Sequence, residues 1–424
     1  MEIEYQTRVV DDQLDRVLKG LPAVCLEGPR AVGKTSTALQ RARTVYDLDD
    51  PQTLALVDAD PRRLVRGDAP IFIDEWQRYP ASWDLVRRAV DQGAGPGTFL
   101  LAGSASPTNA PTHSGAGRIV TLRMRPMSQF ERRSETPSVS LSQLLAGERP
   151  DIAGETDVTL DHYAREVCDS GFPGVRRAGP DVRPDLLDGY LDRATDHDLL
   201  LMGHRVRRPG NVRRWLAAYA AASSTTASYE TIRDASTGGE SAKPAKTTTT
   251  VYRDLLEAMW LVDPLQAWWP LGNPLSRLKR GPKHHLADPA LAARLLGATA
   301  SGFVSGSPSA VRGLGAGPLL GALFESLVTL DVRVYAQAAG AAVGHLRTWN
   351  DDREIDLIVE KDRRILAVEV KMTATPGSED TAHLRWLSER LGSDLADAII
   401  VTTGRHAYRD PYGIAVVPAV LLGP

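Results

Sequence analysis

The chain has 424 residues, of which 42% are hydrophobic and 24% are charged, and its formal net charge is −3. These values predict two or three globular domains and exclude a globally basic nucleic-acid-binding protein, so any contact with DNA requires a local patch. The two cysteines, Cys25 and Cys168, exclude a disulfide framework and a cysteine zinc knuckle. The polar amino terminus is not typical of a signal peptide, and no apolar run could cross a bilayer, so we expect a cytoplasmic protein without a membrane partner.

A strand, a glycine-rich loop and a helix are predicted over residues 23–42, AVCLEGPRAVGKTSTALQRA. The loop fits the P-loop spacing GxxxxGKT, whose backbone N–H groups surround phosphates. In such a loop the lysine, here Lys34, reaches the β- and γ-phosphates, and the threonine, here Thr35, binds Mg²⁺. The pattern predicts ATP and Mg²⁺ as cofactors, with Lys34 as a catalytic residue and Thr35 as a metal ligand. The predicted nucleotide-binding residues of the loop are Gly28, Pro29, Arg30, Ala31, Val32, Gly33, Lys34, Thr35 and Ser36.

Two adjacent acids follow the next predicted buried strand, in APIFIDEWQRYP at residues 69–80. An acid at the carboxyl end of a strand beside a P-loop can hold Mg²⁺, and a second acid can polarise the attacking water. We therefore predict Asp74 as a metal and nucleotide ligand and Glu75 as the catalytic base. The alternative is a lone strand that ends in two solvated acids.

Two further positions are candidates for sensing the γ-phosphate. Ser104 ends the buried pattern TFLLAGSAS, and Arg118 begins the strand in GAGRIVTLRM. A small hydroxyl and an arginine can contact the γ-phosphate, the arginine either in its own chain or in a neighbouring copy. A simple Gly/Ser turn and a structural surface arginine are the alternatives.

Strands and helices alternate through the front of the chain, which predicts an α/β P-loop core over residues 1–135. The predicted strands lie near residues 22–27, 44–48, 71–74, 98–102 and 118–123.

Helices dominate the predicted middle region, residues 136–300. Three helices over residues 212–223, 228–236 and 247–262, followed by an apolar strand, suit a winged helix-turn-helix. Its recognition helix would open at Thr247–Thr250, and basic residues would contact DNA. These residues are Lys243, Lys246, Arg277, Lys279, Arg280 and Lys283. A helical spacer with an ordinary basic loop is the alternative, and His284-His285 lacks a partner at metal-ligand spacing.

A β-hairpin is predicted at EIDLIVEKDRRILAVEVK, residues 354–371, within a C-terminal domain over 310–424. A turn at Asp362-Arg363 sets Asp356 opposite Glu369, with Lys371 on the face of Glu369. We expect the other face to be apolar, with Ile355, Leu357 and Val359 against Leu366, Val368 and Val370. Opposed like charges are destabilising, whereas two carboxylates suit Mg²⁺ and the amine can act on water or phosphate. An ordinary strand pair with a polar outer face is the alternative.

This hairpin resembles the D…ExK core of the restriction-endonuclease-like nucleases. The resemblance implies catalytic roles for Asp356, Glu369 and Lys371, with the two carboxylates as metal ligands. In that superfamily a helix before the hairpin often supplies a further acid, for which Glu325 in PLLGALFESLVTL is the candidate. The apolar stripe of this helix is defined by Leu320, Phe324, Leu327 and Val328, and Glu325 lies off it, so an ordinary solvated glutamate is the alternative.

Nearly the whole chain resembles the prokaryotic AAA-type ATP-binding proteins that carry a C-terminal domain of unknown function. The resemblance is carried by GPRAVGKT, YDLDDP, IFIDEWQRYP, LLAGSAS, GAGRIVTLRMRPMSQFE, GFPGVRR, YLDRATDHDLLLMG and the hairpin. It implies a P-loop ATPase core, a winged-helix-like middle and a nuclease-like tail.

Three hypotheses follow for the function. In the first, ATP hydrolysis controls a nuclease-like tail that cleaves or binds DNA. In the second, the protein is an ATP-dependent regulator or scaffold with a catalytically silent tail. In the third, it is a DNA-binding regulator for which ATP is only a conformational ligand. A homo-oligomer and an unknown protein partner are both compatible with each.

Overall fold

The computed structural model describes residues 5–104, 115–199, 209–237, 244–269, 281–305, 315–348 and 353–424. Within these ranges the chain forms two large β-sheets and a short two-stranded one, with helices between and around them. None of the helices in the described ranges combines the length and apolarity that a bilayer-spanning segment needs.

The first sheet has five strands that all run parallel, which confirms the predicted α/β core. Its strands are β1 (Ala23–Glu27), β2 (Thr44–Asp47), β3 (Ile71–Asp74), β4 (Phe99–Gly103) and β5 (Val120–Arg123). They lie side by side in the order β2-β3-β4-β1-β5. Strands β3 and β4 are buried throughout, as expected of a parallel sheet covered on both faces. The carboxyl ends of β1, β3 and β4 therefore meet at one edge.

Four helices accompany this sheet. They are α1 (Val10–Gly20), α2 (Lys34–Leu39), α3 (Pro51–Ala59) and α4 (Ala81–Asp91). Local chemistry fixes the start of α3, because Asp50 accepts hydrogen bonds from the backbone of Gln52 and Thr53 and Pro51 occupies the first helical position.

Helices follow through the middle of the chain. They are α5 (Leu141–Ala146), α6 (Leu160–Cys168), α7 (Pro173–Arg177), α8 (Arg183–Arg193), α9 (Pro209–Ala221), α10 (Tyr229–Ala235), α11 (Lys246–Ala258), α12 (Pro289–Leu295) and α13 (Ala300–Ser305). A π-helical turn at Ala194–Asp198 extends α8. Helices α9, α10 and α11 occur where three helices are predicted, and single bridges join Val262 to Leu286 and Leu265 to Lys283.

The second sheet has seven strands in the order β7-β12-β13-β11-β10-β9-β8. Its strands are β7 (Gly154–Glu155), β8 (Ala342–Arg347), β9 (Glu354–Lys361), β10 (Arg364–Lys371), β11 (Leu395–Thr402), β12 (His406–Arg409) and β13 (Ala415–Pro418). A short pair, β6 (Val139–Ser140) with β14 (Leu422–Gly423), lies apart from it. Strand pairing therefore crosses the predicted boundary between the middle and C-terminal domains, because β6 and β7 belong to the chain's middle and pair with its last strands.

Two helices cover the second sheet. Helix α14 (Ala316–Ala339) packs Phe324 and Val328 onto one face, and α15 (Ala382–Leu391) packs Leu384 and Leu387 onto the other. The opposite side of α14, including Leu323, joins the apolar core of the first sheet and the middle helices. Helix α14 is thus buried on two sides and links the front and the end of the chain.

Candidate active site

Glycines shape the P-loop between β1 and α2. Gly28 has φ +152°, and a Cβ at this position would lie 2.1 Å from the backbone oxygen of Met124. Gly33, with φ +104°, precedes the first residue of α2. Both positions therefore require glycine, the first for close approach of two backbones and the second for its left-handed conformation. The loop ends at a helix start, where N–H groups favour an anion.

Lys34 lies under this loop and is only 5% exposed. Its Nζ donates hydrogen bonds to the carbonyl oxygens of Gly28 and Pro29, each at 2.9 Å. Burial lowers the pKa of Lys34 to about 8, although the nearby Glu75 and Asp74 partly oppose this shift. The ammonium is thus held where an anionic phosphate would stabilise its charge.

Thr35 and Asp74 form the predicted metal-binding pair. The Thr35 hydroxyl donates to Oδ2 of Asp74 at 2.8 Å, which joins the start of α2 to the end of β3. Burial raises the pKa of Asp74 to about 6, and the neighbouring Glu75 and Asp47 add to this rise. A bound cation would favour the ionised carboxylate, and a hydroxyl beside a carboxylate is a donor set that fits Mg²⁺.

Glu75 follows Asp74 in a left-handed conformation, with φ 48°. Its carboxylate accepts a hydrogen bond from the Ser104 hydroxyl, whose oxygen lies 3.2 Å from Oε2, and another from the side chain of Gln77. The predicted base and the predicted sensor therefore contact each other at the ends of neighbouring strands. Gln77 is a contact that the sequence analysis missed.

Arg118 lies elsewhere. It precedes β5, which runs parallel to β1, so it sits at the amino ends of these strands, opposite the edge that carries the P-loop. Its Nε contacts Oδ1 of Asp91 in α4 at 2.9 Å, and its side chain is 48% exposed. The structure does not bring Arg118 to the P-loop of its own chain, and a role in a neighbouring copy stays a prediction.

Two arginines attach the P-loop to other parts of the chain, and no sequence pattern indicates either contact. Arg8 is buried, donates to the carbonyl of Val32 at 2.8 Å and pairs with Glu131 at 3.0 Å. Arg30, within the loop, pairs with Asp198 of the π-helical turn at 2.5 Å. The residues that cradle phosphate are therefore in direct contact with the amino-terminal segment and the middle helices.

A charged cluster centred on Asp263 joins all three parts of the chain. This middle-region carboxylate contacts Arg123 and Arg125, which follow one another closely at the end of β5, at 3.0 Å each. It also contacts Arg333 of α14 at 2.8 Å. Burial alone would raise the pKa of Asp263, but the three arginines hold it far below its ordinary value.

The predicted register of the C-terminal hairpin is confirmed. Arg364 pairs with Lys361 and Val368 pairs with Leu357, and this register, continued by one residue, would set Asp356 opposite Glu369. Both residues of the turn, Asp362 at φ 49° and Arg363 at φ 66°, have left-handed conformations, which suit a two-residue hairpin turn.

The face prediction for Ile355 is wrong. Strand β8 pairs Gly344 with Ile358 but Leu346 with Ile355, so a bulge leaves Asp356 and Leu357 opposite the single residue between them. An extra residue reverses the alternation of side chains. Ile355 consequently packs in the core beneath α15, whereas Leu357 packs beneath α14.

Lys283 enters the acidic end of this hairpin. Its Nζ lies 2.9 Å from Glu325, 3.1 Å from Glu354 and 2.9 Å from Asp356. Because its side chain is 1% exposed, the prediction that Lys283 belongs to a surface basic patch is wrong. Glu325 is not a freely solvated acid either, since it is one of the three carboxylates around this amine. No local sequence pattern indicates this contact, because Lys283 is far from the hairpin along the chain.

The hairpin's own acids are bonded differently. Oδ2 of Asp356 accepts a hydrogen bond from the backbone of Val370 at 2.9 Å, and Oε1 of Glu369 accepts one from Lys371 at 2.8 Å. Burial, followed by the charge of Asp356, raises the pKa of Glu369 to about 8. Burial opposes ionisation of Asp356 as well, but Lys283 overcomes it and lowers the Asp356 pKa. Over the described ranges, no group of three or more His, Cys, Asp and Glu side chains is arranged to hold a metal ion.

The predicted nucleic-acid surface is mostly outside the described residues, since Lys243, Arg277, Lys279 and Arg280 fall there. Lys246, at the start of α11, pairs with Glu230 at 3.3 Å. In the threonine run that follows, Thr249 and Thr250 donate to the carbonyl of Lys246.

The adjacent histidines are buried core residues. His284 Nε2 contacts the carbonyl of Ala227 at 2.7 Å, and His285 Nδ1 contacts the Ser326 hydroxyl at 2.8 Å.

Comparison with protein families gives three matches. Residues 21–132 match an AAA domain, residues 160–302 match a domain of unknown function (DUF8612), and residues 320–422 match another (DUF4143). Two curated relatives, uncharacterized proteins of Mycobacterium bovis and Mycobacterium tuberculosis, are each 28% identical over 418 residues. The alignment covers 96% of this chain and 82% of each relative.

Two solved structures are also similar to this chain. A Walker-type ATPase of Pyrococcus abyssi has a TM-score of 0.40 and 16% identity, over 69% of this chain and 99% of that one. The ORC2 protein of Aeropyrum pernix, solved as ADPNP–ADP complexes, has a TM-score of 0.26 and 14% identity, over 68% and 91%. Scores this low transfer no activity, but the AAA match coincides with the parallel sheet, the P-loop and the acids at its edge. The front of this chain therefore has a P-loop α/β fold and is similar to an AAA domain.

Proposed function

We propose that this protein binds and hydrolyses ATP with Mg²⁺ at the P-loop edge of the first sheet, and that its nucleotide state acts on the C-terminal domain. One observation carries the proposal: the Thr35–Asp74 contact of 2.8 Å sets a hydroxyl and a carboxylate beside Lys34 and Glu75. These are the groups that phosphoryl transfer to water requires, in the places where a P-loop enzyme uses them.

Each residue has a distinct role in this proposal. The Lys34 ammonium exchanges its two carbonyl partners for β- and γ-phosphate oxygens, and the loop N–H groups bind the remaining oxygens. Thr35 and Asp74 hold Mg²⁺, which would neutralise phosphate charge. Glu75, positioned by Ser104 and Gln77, accepts the proton of the attacking water.

Three contacts support transmission to the rest of the chain. Arg30 and Arg8 tie the P-loop to the middle helices and the amino-terminal segment, and the Asp263 cluster ties the end of β5 to α14. Movement of the loop on binding phosphate would change these contacts first. Hydrogen exchange over 316–339, compared with and without ATP in the Glu75→Gln variant, tests this step. Unchanged exchange throughout α14 would reject it.

For the C-terminal domain, one candidate function is that of a nuclease acting on DNA. Its support is the hairpin register that opposes Asp356 and Glu369, and the position of Glu325 on the helix before the hairpin. In this candidate Asp356 and Glu369 bind Mg²⁺ and Lys371 acts on water or phosphate. Plasmid nicking by the wild type with ATP and Mg²⁺, lost in Asp356→Ala, would support it.

The second candidate is a catalytically silent tail that serves as a regulator or scaffold. A specific observation favours it: the amine of Lys283 lies among the carboxylates that the nuclease would need. Absence of nicking by both the wild type and Asp356→Ala, with ATP turnover intact, is the result that it predicts.

A further inference from the structure

The position of Lys283 is fixed by its backbone as well as by its side chain. Its N–H and C=O exchange hydrogen bonds with Leu265, each at 2.8 Å. His345 contacts the segment just before Lys283, because its Nε2 lies 2.9 Å from the carbonyl oxygen of Gly281. The following His284 and His285 are buried. Residues 281–285 therefore pack against the second sheet, and the Lys283 side chain does not sample the solvent.

The three carboxylates around Lys283 come from two elements. Glu325 belongs to α14, and Glu354 and Asp356 belong to the start of β9, where the bulge turns the strand. Each contributes one oxygen within 3.1 Å of the same nitrogen. Three carboxyl oxygens around one point supply the type of ligand that a hard divalent ion prefers. An ammonium and such an ion cannot share that point, because both need the same oxygens and repel each other.

Charge balance supports the same conclusion. The Lys283 side chain is 1% exposed, and its charge is paired with three carboxyl groups within 3.1 Å. Lys371, at the end of β10, contacts Glu369 and is partly exposed. Thus the acids of the nuclease-like cluster already have cationic partners from within the chain.

We infer that Lys283 is a built-in cation that occupies the divalent-ion position among Glu325, Glu354 and Asp356, closing this cluster to metal and fastening the middle region to the C-terminal sheet. This inference does not depend on ATP hydrolysis at the P-loop. While Lys283 is in place, Mg²⁺ binds at the proposed P-loop site and not among these acids. The three carboxylates then serve to hold Lys283, and no nuclease reaction is needed to explain them.

The test measures thermal melting of the full chain in Mn²⁺ and in EDTA, without nucleotide. Every protein carries Asp74→Asn so that the front site does not respond. With Lys283 present, we expect the same melting temperature in both conditions. Lys283→Met should melt lower in EDTA, because three carboxylates then lose their cation, and should recover by several degrees in Mn²⁺. Adding Asp356→Asn should abolish that recovery.

Lys371→Met is the matched control, because it removes an amine that contacts Glu369 and not the three carboxylates around Lys283. It should not create a response to Mn²⁺. Lys283→Arg keeps the charge and should also melt equally in both conditions.

Two results would overturn the inference. One is a melting temperature that is higher in Mn²⁺ than in EDTA for the protein that retains Lys283, if adding Asp356→Asn removes this difference. The other is a folded Lys283→Met protein that melts equally in Mn²⁺ and EDTA. If Lys283→Met does not fold, direct counting of bound Mn²⁺ on the Lys283 protein decides. A bound Mn²⁺ ion that is lost when Asp356→Asn is added would contradict the inference. The absence of such an ion would support the inference.

Discussion

The hydroxyl of Thr35 and the carboxylate of Asp74 meet at 2.8 Å across the edge of the first sheet. The two residues are distant in sequence, and the parallel arrangement of β1 and β3 in one sheet brings them together. In the proposed function this pair holds Mg²⁺, so the contact fixes the place of the cation relative to Lys34. Its chemistry can be tested without changing the shape of the site.

Asp74→Asn should lower ATP turnover by about 10² or more, because the amide can still accept the Thr35 hydrogen bond but is no longer an anionic ligand. Steady-state phosphate release across a range of Mg²⁺ concentrations measures this effect. Asp91→Asn, on the exposed end of α4, is the control and should retain wild-type turnover. Equal activity of Asp74→Asn and wild type would remove Asp74 from the metal site.

Glu75→Gln should separate binding from hydrolysis. The amide keeps the size of the side chain but cannot accept a proton, so we expect ATP to bind while hydrolysis falls by roughly 10² or more. Nucleotide affinity and single-turnover hydrolysis measure the two steps separately. Retained turnover in this variant, with complete loss in Asp74→Asn, would show that Glu75 is not the base.

Glu166 should contribute stability that is lost in acid. Burial would raise its pKa, but Arg132 and Arg176 outweigh this effect and lower the pKa to about 2 from 4.5. Because the folded-state pKa is the lower one, the contribution is present above about pH 4.5 and is lost as pH falls toward 2. It amounts to something on the order of 3 kcal/mol.

Denaturant unfolding of wild type and Glu166→Gln at neutral and acid pH measures this contribution. The stability difference between the two proteins should be largest at neutral pH and should shrink as pH falls through this window. Glu230→Gln, which removes the exposed partner of Lys246, should change stability by less than about 1 kcal/mol. A difference between wild type and Glu166→Gln that is independent of pH would contradict the assignment.

Asp263→Asn should destabilise the contact between the front, middle and end of the chain. It leaves Arg123, Arg125 and Arg333 without their shared anion, and breaking a buried ion pair on one side costs about 3–5 kcal/mol. Thermal melting should show this loss, whereas Asp254→Asn, in an exposed pair with Arg253, should melt like wild type. Equal melting of both variants would mean that the cluster contributes little to stability.

The arrangement of residues at the P-loop edge was largely predictable from sequence because its signals are local. The loop spacing sets Gly28, Gly33, Lys34 and Thr35, and an apolar strand ending in two acids sets Asp74 and Glu75. The hairpin register was predictable for the same reason, since a short polar turn fixes which residues oppose each other.

The remaining features depend on contacts between distant parts of the chain. Nothing in the residues around Lys283 indicates that Glu325 and Asp356 surround it. The bulge that reverses Ile355 arises from the pairing of β8 with β9, and β9 itself contains no glycine or proline that would indicate it. The sequence around Arg118 predicts the strand that follows it but does not show which end of that strand lies at the P-loop. The structure places Arg118 at the opposite end.

The most direct test of ATP hydrolysis at the P-loop is to measure ATP turnover in the full chain with Mg²⁺. The proteins to compare are wild type, Lys34→Ala and Lys19→Ala. Lys34→Ala removes the buried amine beside the loop carbonyls, whereas Lys19 is an exposed lysine at the end of α1. We expect ATP turnover in wild type and in Lys19→Ala, and loss of turnover in a folded Lys34→Ala protein. Unchanged turnover in Lys34→Ala, or none in wild type, would contradict it.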